Sequence, residues 1–215
     1  MNKVIILLVL LLFSFSLVSA EQICEIYDNF SSSNLDTLKW VETTTTLDEH
    51  FVDSTEGVYH TAQLNASDKE ITLKALKNFT TGETFEYDVN YQSGSGNVLS
   101  RVIINGQAGD TGLQTSECEG KGYATGGAIG YWNGESCVGQ NILGKYHIKA
   151  NFNNDSVDIS FTDPNGKIIA YEPILSPTSP PYIVGIQTRT GHNGLVHIDY
   201  DNVVICKNED PEETE

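Results

Sequence analysis

In the segment Thr84-Phe85-Glu86-Tyr87-Asp88-Val89-Asn90-Tyr91, apolar and polar positions alternate strictly: Phe85, Tyr87, Val89 and Tyr91 on one side, Glu86, Asp88 and Asn90 on the other. Extended backbone points successive side chains to opposite faces, so this pattern predicts a strand with one face buried. The same alternation recurs at Tyr146 to Phe152 and at Val157 to Phe161, separated by a polar turn, which predicts a hairpin. Asp163-Pro164-Asn165-Gly166 is a turn leading into a strand at 167–171, and further strands are predicted at 57–64, 71–76, 182–188 and 196–205. A helical turn is expected only near Asn34 to Leu38. Short strands with frequent turn signals and no helical crossovers predict an all-β fold, an antiparallel β-sandwich or jelly roll.

The first twenty residues stand apart. A basic start at Lys3, an apolar run from Val4 to Val18 and the small residues of Val18-Ser19-Ala20 predict a cleaved secretory signal. An uncleaved anchor is the alternative, although the run is shorter than the roughly 20 residues that span a bilayer. Residues 21–207 then form one domain with no internal boundary, and 208–215 an acidic, disordered tail. The chain carries 12 basic and 29 acidic residues, and loss of Lys3 with the signal leaves about −18. Such a charge excludes the basic surface that nucleic acids require and repels anionic lipid headgroups, so neither partner is expected. With no second apolar span, the product is expected to be secreted or held at the cell surface.

Export makes the four cysteines legible as two disulfides. Three connectivities are open. Cys24 and Cys206 lie at the two ends of the domain and Cys118 and Cys137 bracket one glycine-rich excursion, which favours Cys24–Cys206 and Cys118–Cys137. Four glycosylation sequons, at Asn29, Asn65, Asn78 and Asn154, become available, but about three would arise by chance in a chain this rich in Asn, Ser and Thr.

Two end motifs carry a resemblance. Asp28-Asn29-Phe30 followed by Leu35-Asp36 and Trp40 resembles the D-x-F…L-D-x-x-x-W opening of concanavalin A-like lectin/glucanase jelly rolls, which include laminin G-like modules and laminarinase-type glucanases. Ile198-Asp199-Tyr200-Asp201-Asn202-Val203-Val204-Ile205 is similar to the closing strand of that group. The resemblance spans the mature chain and implies the jelly-roll fold, while leaving function open among enzymes, lectins and adhesion modules. It also implies a structural calcium ion beside the terminal strands, held by Asp201 with main-chain oxygens of Asp28 and Gly57.

Laminarinase-type enzymes place two Glu on one strand face, as nucleophile and general acid, within E-x-D-x-(x)-E. Here Glu86-Tyr87-Asp88-Val89-Asn90 puts Asn at the second Glu position, and an amide cannot supply a catalytic proton. Glu86 and Asp88 are expected to be polar-face residues, and no catalytic residue is assigned. Glu117 and Glu119 flank Cys118 as an acidic pair. Thirteen of the 19 glycines fall between Tyr91 and Gly144, where Tyr123, Tyr131, Trp132 and Asn133 offer an aromatic face and an amide of the kind that grips a pyranose. The expected function is a non-catalytic module binding extracellular or cell-surface glycan. A divergent glycoside hydrolase and a protein-binding adhesion module are the alternatives.

Overall fold

The computed structural model describes residues 22–44, 49–66, 69–95, 98–105, 107–114, 129–132, 137–140, 144–174, 180–190 and 194–208. The expected signal, the acidic residues after Asn208, Glu117 to Glu119, Cys118, Tyr123 and Asn133 lie outside them. Among the described residues there are fifteen strands and no helix.

One sheet runs β13 (Ile168–Ile174), β12 (Val157–Thr162), β11 (Gly144–Phe152), β6 (Glu83–Ser95), β15 (Gly194–Asn208), β4 (Val58–Ala66) and β3 (Glu49–Asp53), with β1 (Gln22–Asp28) paired to the far half of β15. The other runs β10 (Cys137–Gln140), β9 (Ile129–Trp132), β8 (Gln107–Gln114), β7 (Val98–Ile104), β14 (Tyr182–Thr190), β5 (Lys69–Phe79) and β2 (Trp40–Thr44). The expected hairpin is β11–β12, in register from His147 opposite Thr162 to Phe152 opposite Val157. The expected helical turn is a single turn in which Lys39 and Trp40 both donate to the Asp36 carbonyl.

The two sheets pack face to face through the alternating residues. Phe85, Tyr87, Val89 and Tyr91 of β6 are buried, as are Ile71 and Leu73 of β5 and Val184 and Ile186 of β14. Burying each of these large side chains contributes about 1.5–3 kcal/mol. The core is rich in tyrosine, and tyrosine hydroxyls must find partners when buried. Tyr200 Oη, on β15, donates to Ser100 Oγ on β7 at 3.0 Å and lies 2.6 Å from Thr188 Oγ1 on β14. Thr188 Oγ1 in turn lies 3.3 Å from Thr61 Oγ1 on β4. This buried hydroxyl cluster crosses the sandwich and sets one sheet's position against the other.

The opening motif makes a second tie between the sheets. Asp28 ends β1 and Trp40 begins β2, and the indole Nε1 donates to Asp28 Oδ2 at 2.7 Å while Oδ1 accepts from the Phe30 amide. Trp40 packs edge-on to Tyr27 and stacks on Phe30, and is core as expected. Cys24 and Cys206 face each other across β1 and β15 and are disulfide-bonded, 182 positions apart in sequence.

Closing a loop of that length restricts the unfolded chain by about 5 kcal/mol in the chain-entropy account. Non-reducing peptide mapping is expected to recover Cys24 joined to Cys206, and Cys24→Ala/Cys206→Ala to melt at markedly lower temperature; equal melting would overturn this. Tyr200→Phe keeps the ring but removes the hydroxyl that Ser100 and Thr188 meet in the core. It is expected to cost about 1–3 kcal/mol in chemical denaturation, and Tyr200→Phe/Ser100→Ala less than the sum of the two single changes.

Candidate functional site

The outer faces of the two sheets differ in chemistry. On the seven-stranded sheet, a groove of about 390 Å³ runs over β2, β5, β14 and β7. Its floor is Gly185. A Cβ there would meet the Leu73 carbonyl at 3.0 Å, so only glycine lets β14 approach β5 where their pairing shifts register between Ile183 and Gly185. Asn105 forms one end. It sits in the left-handed region with φ of 53°, starting the Asn105-Gly106 connection between β7 and β8. Its Oδ1 accepts from the Ile183 amide at 2.8 Å and its own amide donates to the Ile183 carbonyl.

Gln187 supplies the groove's central polar group. Although its position points to the outer face, it is only 6% exposed, and its Nε2 donates to Thr72 Oγ1 at 3.1 Å. Its Oε1 is buried and has no hydrogen-bond partner among the described residues. A buried acceptor left unmatched costs about 1–3 kcal/mol. Thr43 and Lys74 at the sides, with Ile103 and Ile183, add to a lining of hydroxyls, amides, an ammonium and aliphatic surface that, among the described residues, includes neither Asp nor Glu.

The strongest sequence candidate lies on the same sheet. Trp132 ends β9, in register with Cys137 of β10, and Tyr131 pairs with Val138. The side chains of Trp132, Tyr131 and Cys137 lie outside the described residues, as do Tyr123, Asn133 and the Cys118–Cys137 pairing. Sequence reading missed the groove itself. Its one local signal was Asn105-Gly106, a dipeptide suited to a two-residue hairpin.

Glu86 and Asp88 lie on the outer face of the eight-stranded sheet, away from that groove. His147, opposite Asp88 on β11, stands between them, with Nδ1 2.9 Å from Asp88 Oδ1 and Nε2 3.1 Å from Glu86 Oε2. Lys149 reaches Glu86 at 2.7 Å, and Lys145 reaches Asp88 at 2.8 Å and Asp201 at 3.4 Å. Hydrogen bonds from His147, then Lys149 and Thr84, outweigh burial and hold Glu86 at about 2. Burial alone would raise Asp88, but hydrogen bonds from His147, Lys145 and Asn202 take it down to about 2. Hydrogen bonds to Asp88 and then Glu86 raise His147 to about 9. Both carboxyls are therefore ionised near neutrality and paired to cations, whereas a glycosidase acid must hold its proton there.

Farther along this face, Asp199 accepts from His60 Nδ1 on β4 at 2.6 Å and from Gln92 on β6. The residues named for calcium have these contacts. Asp201 accepts from the Asn202 amide and side chain and faces the Lys145 ammonium, and both Asp28 oxygens are held by Phe30 and Trp40. Gly57 lies beside Asn29, with its amide bonded to the Asp53 carbonyl. Among the described residues no group of three acidic, His or Cys side chains suits a metal ion.

The His147 cluster predicts a pH signature. His147 titrates near 6.5 when unfolded and at about 9 when folded, so its pairing stabilises fully below about pH 6.5 and is lost as pH rises through about 9. Glu86 and Asp88, at about 2 instead of 4.5 and 3.8, stabilise above those ordinary values and lose this as pH falls toward 2. The melting-temperature advantage of wild type over His147→Gln is expected to peak at about pH 5.5 and to shrink steadily to about pH 10. A constant difference across that range would show that the pairing does not titrate with folding.

No protein-family profile and no curated protein sequence matches the chain. Solved structures do match its shape. The metal-free form of lectin I-B4 from Griffonia simplicifolia aligns with a TM-score of 0.54 at 9% identity, over 87% of this chain and 99% of the lectin. A protein described as a putative beta-glucanase from Mycobacterium abscessus gives 0.52 at 9% identity, over 86% and 98%. An immunostimulatory antigen and pseudo beta-1,3-glucanase of Mycobacterium tuberculosis gives 0.51 at 11%, over 87% and 98%. At such identities the likeness concerns the path of the chain and not its chemistry. The fold of this protein is the concanavalin A-like jelly roll shared by those lectins and glucanases.

Proposed function

We propose that this chain is a secreted, non-catalytic carbohydrate-binding module that takes a glycan in the groove on the outer face of its seven-stranded sheet. The observation that carries this reading is the lining of that groove. Hydroxyls and amides of Thr43, Thr72, Asn105 and Gln187 suit sugar hydroxyls, Ile103 and Ile183 suit the apolar side of a pyranose, and no carboxylate lines it among the described residues. Trp132, whose backbone ends β9 in the same sheet, is the residue to test for an aromatic contact with a second sugar. The likeness in fold to a lectin and to a pseudo beta-1,3-glucanase supports the reading by analogy.

Hydrolysis is the second reading, favoured by the likeness to a putative beta-glucanase. A retaining glycosidase needs two carboxyls about 5–5.5 Å apart flanking the sugar, one of them holding a proton. Glu86 and Asp88 lie on the other sheet and are both ionised.

The test is a glycan array on the exported protein, paired with a reducing-end assay on laminarin. Binding without release of reducing ends is expected. Trp132→Ala is expected to weaken binding about thirtyfold, the equivalent of about 2 kcal/mol for an aromatic anchor, with little change in melting temperature. Glu86→Gln is expected to leave binding unchanged. Laminarin hydrolysis that Glu86→Gln abolishes would make the protein an enzyme and overturn the proposal.

A further inference from the structure

We infer that Asn78 is an N-glycosylation site whose glycan lies over an exposed apolar strip at the end of the groove. Asn78-Phe79-Thr80 is one of four sequons, and nothing in their composition separates them. Their places in the fold do. Asn78 ends the outer column of β5: Lys74, Leu76 and Asn78 are exposed, while Leu73, Ala75 and Phe79 are buried. It is in register with Ile183, which lines the groove, and directly paired residues on one face hold their Cβ atoms about 4.5–5.5 Å apart. A sugar on Asn78 Nδ2 therefore starts beside the groove. Asn29 follows β1, with its Oδ1 accepting from the Ser31 amide, and Asn154 lies in the β11–β12 turn, with its Oδ1 accepting from Thr81 Oγ1. Neither is paired with a groove residue, and the side chain of Asn65 lies outside the described residues.

The surface beside Asn78 is the second observation. Seven large apolar side chains are exposed among the described residues, and Leu38, Val41 and Leu76 are three of them. Val41 is in register with Lys74, so Leu76 is its diagonal neighbour on the same outer face. Leu38 precedes Lys39, whose carbonyl accepts from the Leu76 amide. Leu76 is 49% exposed and one pleat from Asn78. Clustered apolar surface facing water invites association, and a glycan rooted next to it covers it, C–H faces of the rings against Leu76 and Val41 and hydroxyls toward water.

Phe79, between the acceptor Asn and Thr80, is wholly buried in the finished sandwich, so attachment precedes folding. The donor class is an oligosaccharide carried on a lipid phosphate. Asn78 Nδ2 bonds to the sugar C1 as the bond from C1 to the phosphate oxygen breaks; the lipid phosphate leaves with the electron pair, and Nδ2 gives up one proton. Asn78 and Thr80 are both exposed afterwards, so the folded chain carries the glycan without unpacking. This rests on the secretion in the proposed function and is independent of what the groove binds.

The full chain would be exported from cells whose secretory pathway N-glycosylates, then treated with peptide-N-glycosidase in heavy-oxygen water, which turns each occupied Asn into labelled Asp. Peptide mapping is expected to find the label at Asn78 in most molecules, to lose it in Asn78→Gln and to keep it in Thr80→Ser. The glycan's place on the surface is read by amine-reactive labelling of Lys74, expected to be several-fold slower in wild type than in Asn78→Gln, with Lys145 on the other sheet labelled equally in both. Wild type before and after glycosidase treatment gives the same comparison without a variant. A bare Asn78 on a chain that has lost residues 1–20 would overturn the inference and leave secretion in place. A chain that keeps residues 1–20 with every sequon bare would overturn both. An occupied Asn78 with equal Lys74 labelling would overturn the covering of the strip.

Discussion

The buried hydroxyl cluster around Tyr200 is the constraint on which the rest of the structure depends. Two β-sheets packed through aliphatic and aromatic side chains have no intrinsic registry, because apolar contact is non-directional. Tyr200 Oη, bonded to Ser100 and against Thr188, removes that freedom, since any sliding of one sheet over the other would strand three hydroxyls in a dry interior. The residues that follow or precede these hydroxyls on the same strands point outward. Gln187 precedes Thr188 and Arg101 follows Ser100, so the tie that aligns the sheets also aligns the groove. On the opposite side of the sandwich, Asp199 and Asp201 flank Tyr200 and build the charged face.

The opening motif works with that cluster. Asp28 closes the eight-stranded sheet and Trp40 opens the seven-stranded one, and their 2.7 Å hydrogen bond holds the chain where it crosses between layers. Trp40 brings β2 onto β5, which places Thr43 opposite Thr72 at the groove's side. The same bond occupies the Asp28 carboxylate, and the Lys145 ammonium neutralises Asp201.

The two outer faces divide the chemistry. One is an interlocked set of ion pairs in which Glu86, Asp88 and His147 satisfy one another across β6 and β11. Its carboxylates are spent on one another's partners and have no proton to give. The other face is open, with a glycine floor and an amide acceptor that the described protein groups do not satisfy.

Much of the architecture is legible in the sequence because it depends on local periodicity. Alternation at 84–91, 146–152 and 157–161 marks strands whose burial needs only a facing sheet, and the end motifs named the jelly roll. The Cys24–Cys206 pairing was favoured by the place of the two residues at the ends of the domain, and the register of β1 on β15 brings them together. The role of Glu86 and Asp88 was half legible: an Asn at position 90 argued against catalysis, but their partner His147 lies 59 positions beyond Asp88 and only strand register brings it there. The groove was not legible at all. Thr43, Thr72, Asn105, Gly185 and Gln187 come from three strands and one turn spread over about two thirds of the chain, and apart from the Asn105-Gly106 dipeptide none belongs to a motif. Period and spacing determine which side of a strand is buried. Which strands become neighbours, and so which outward side chains share a surface, is decided by long-range pairing that only the tertiary structure contains.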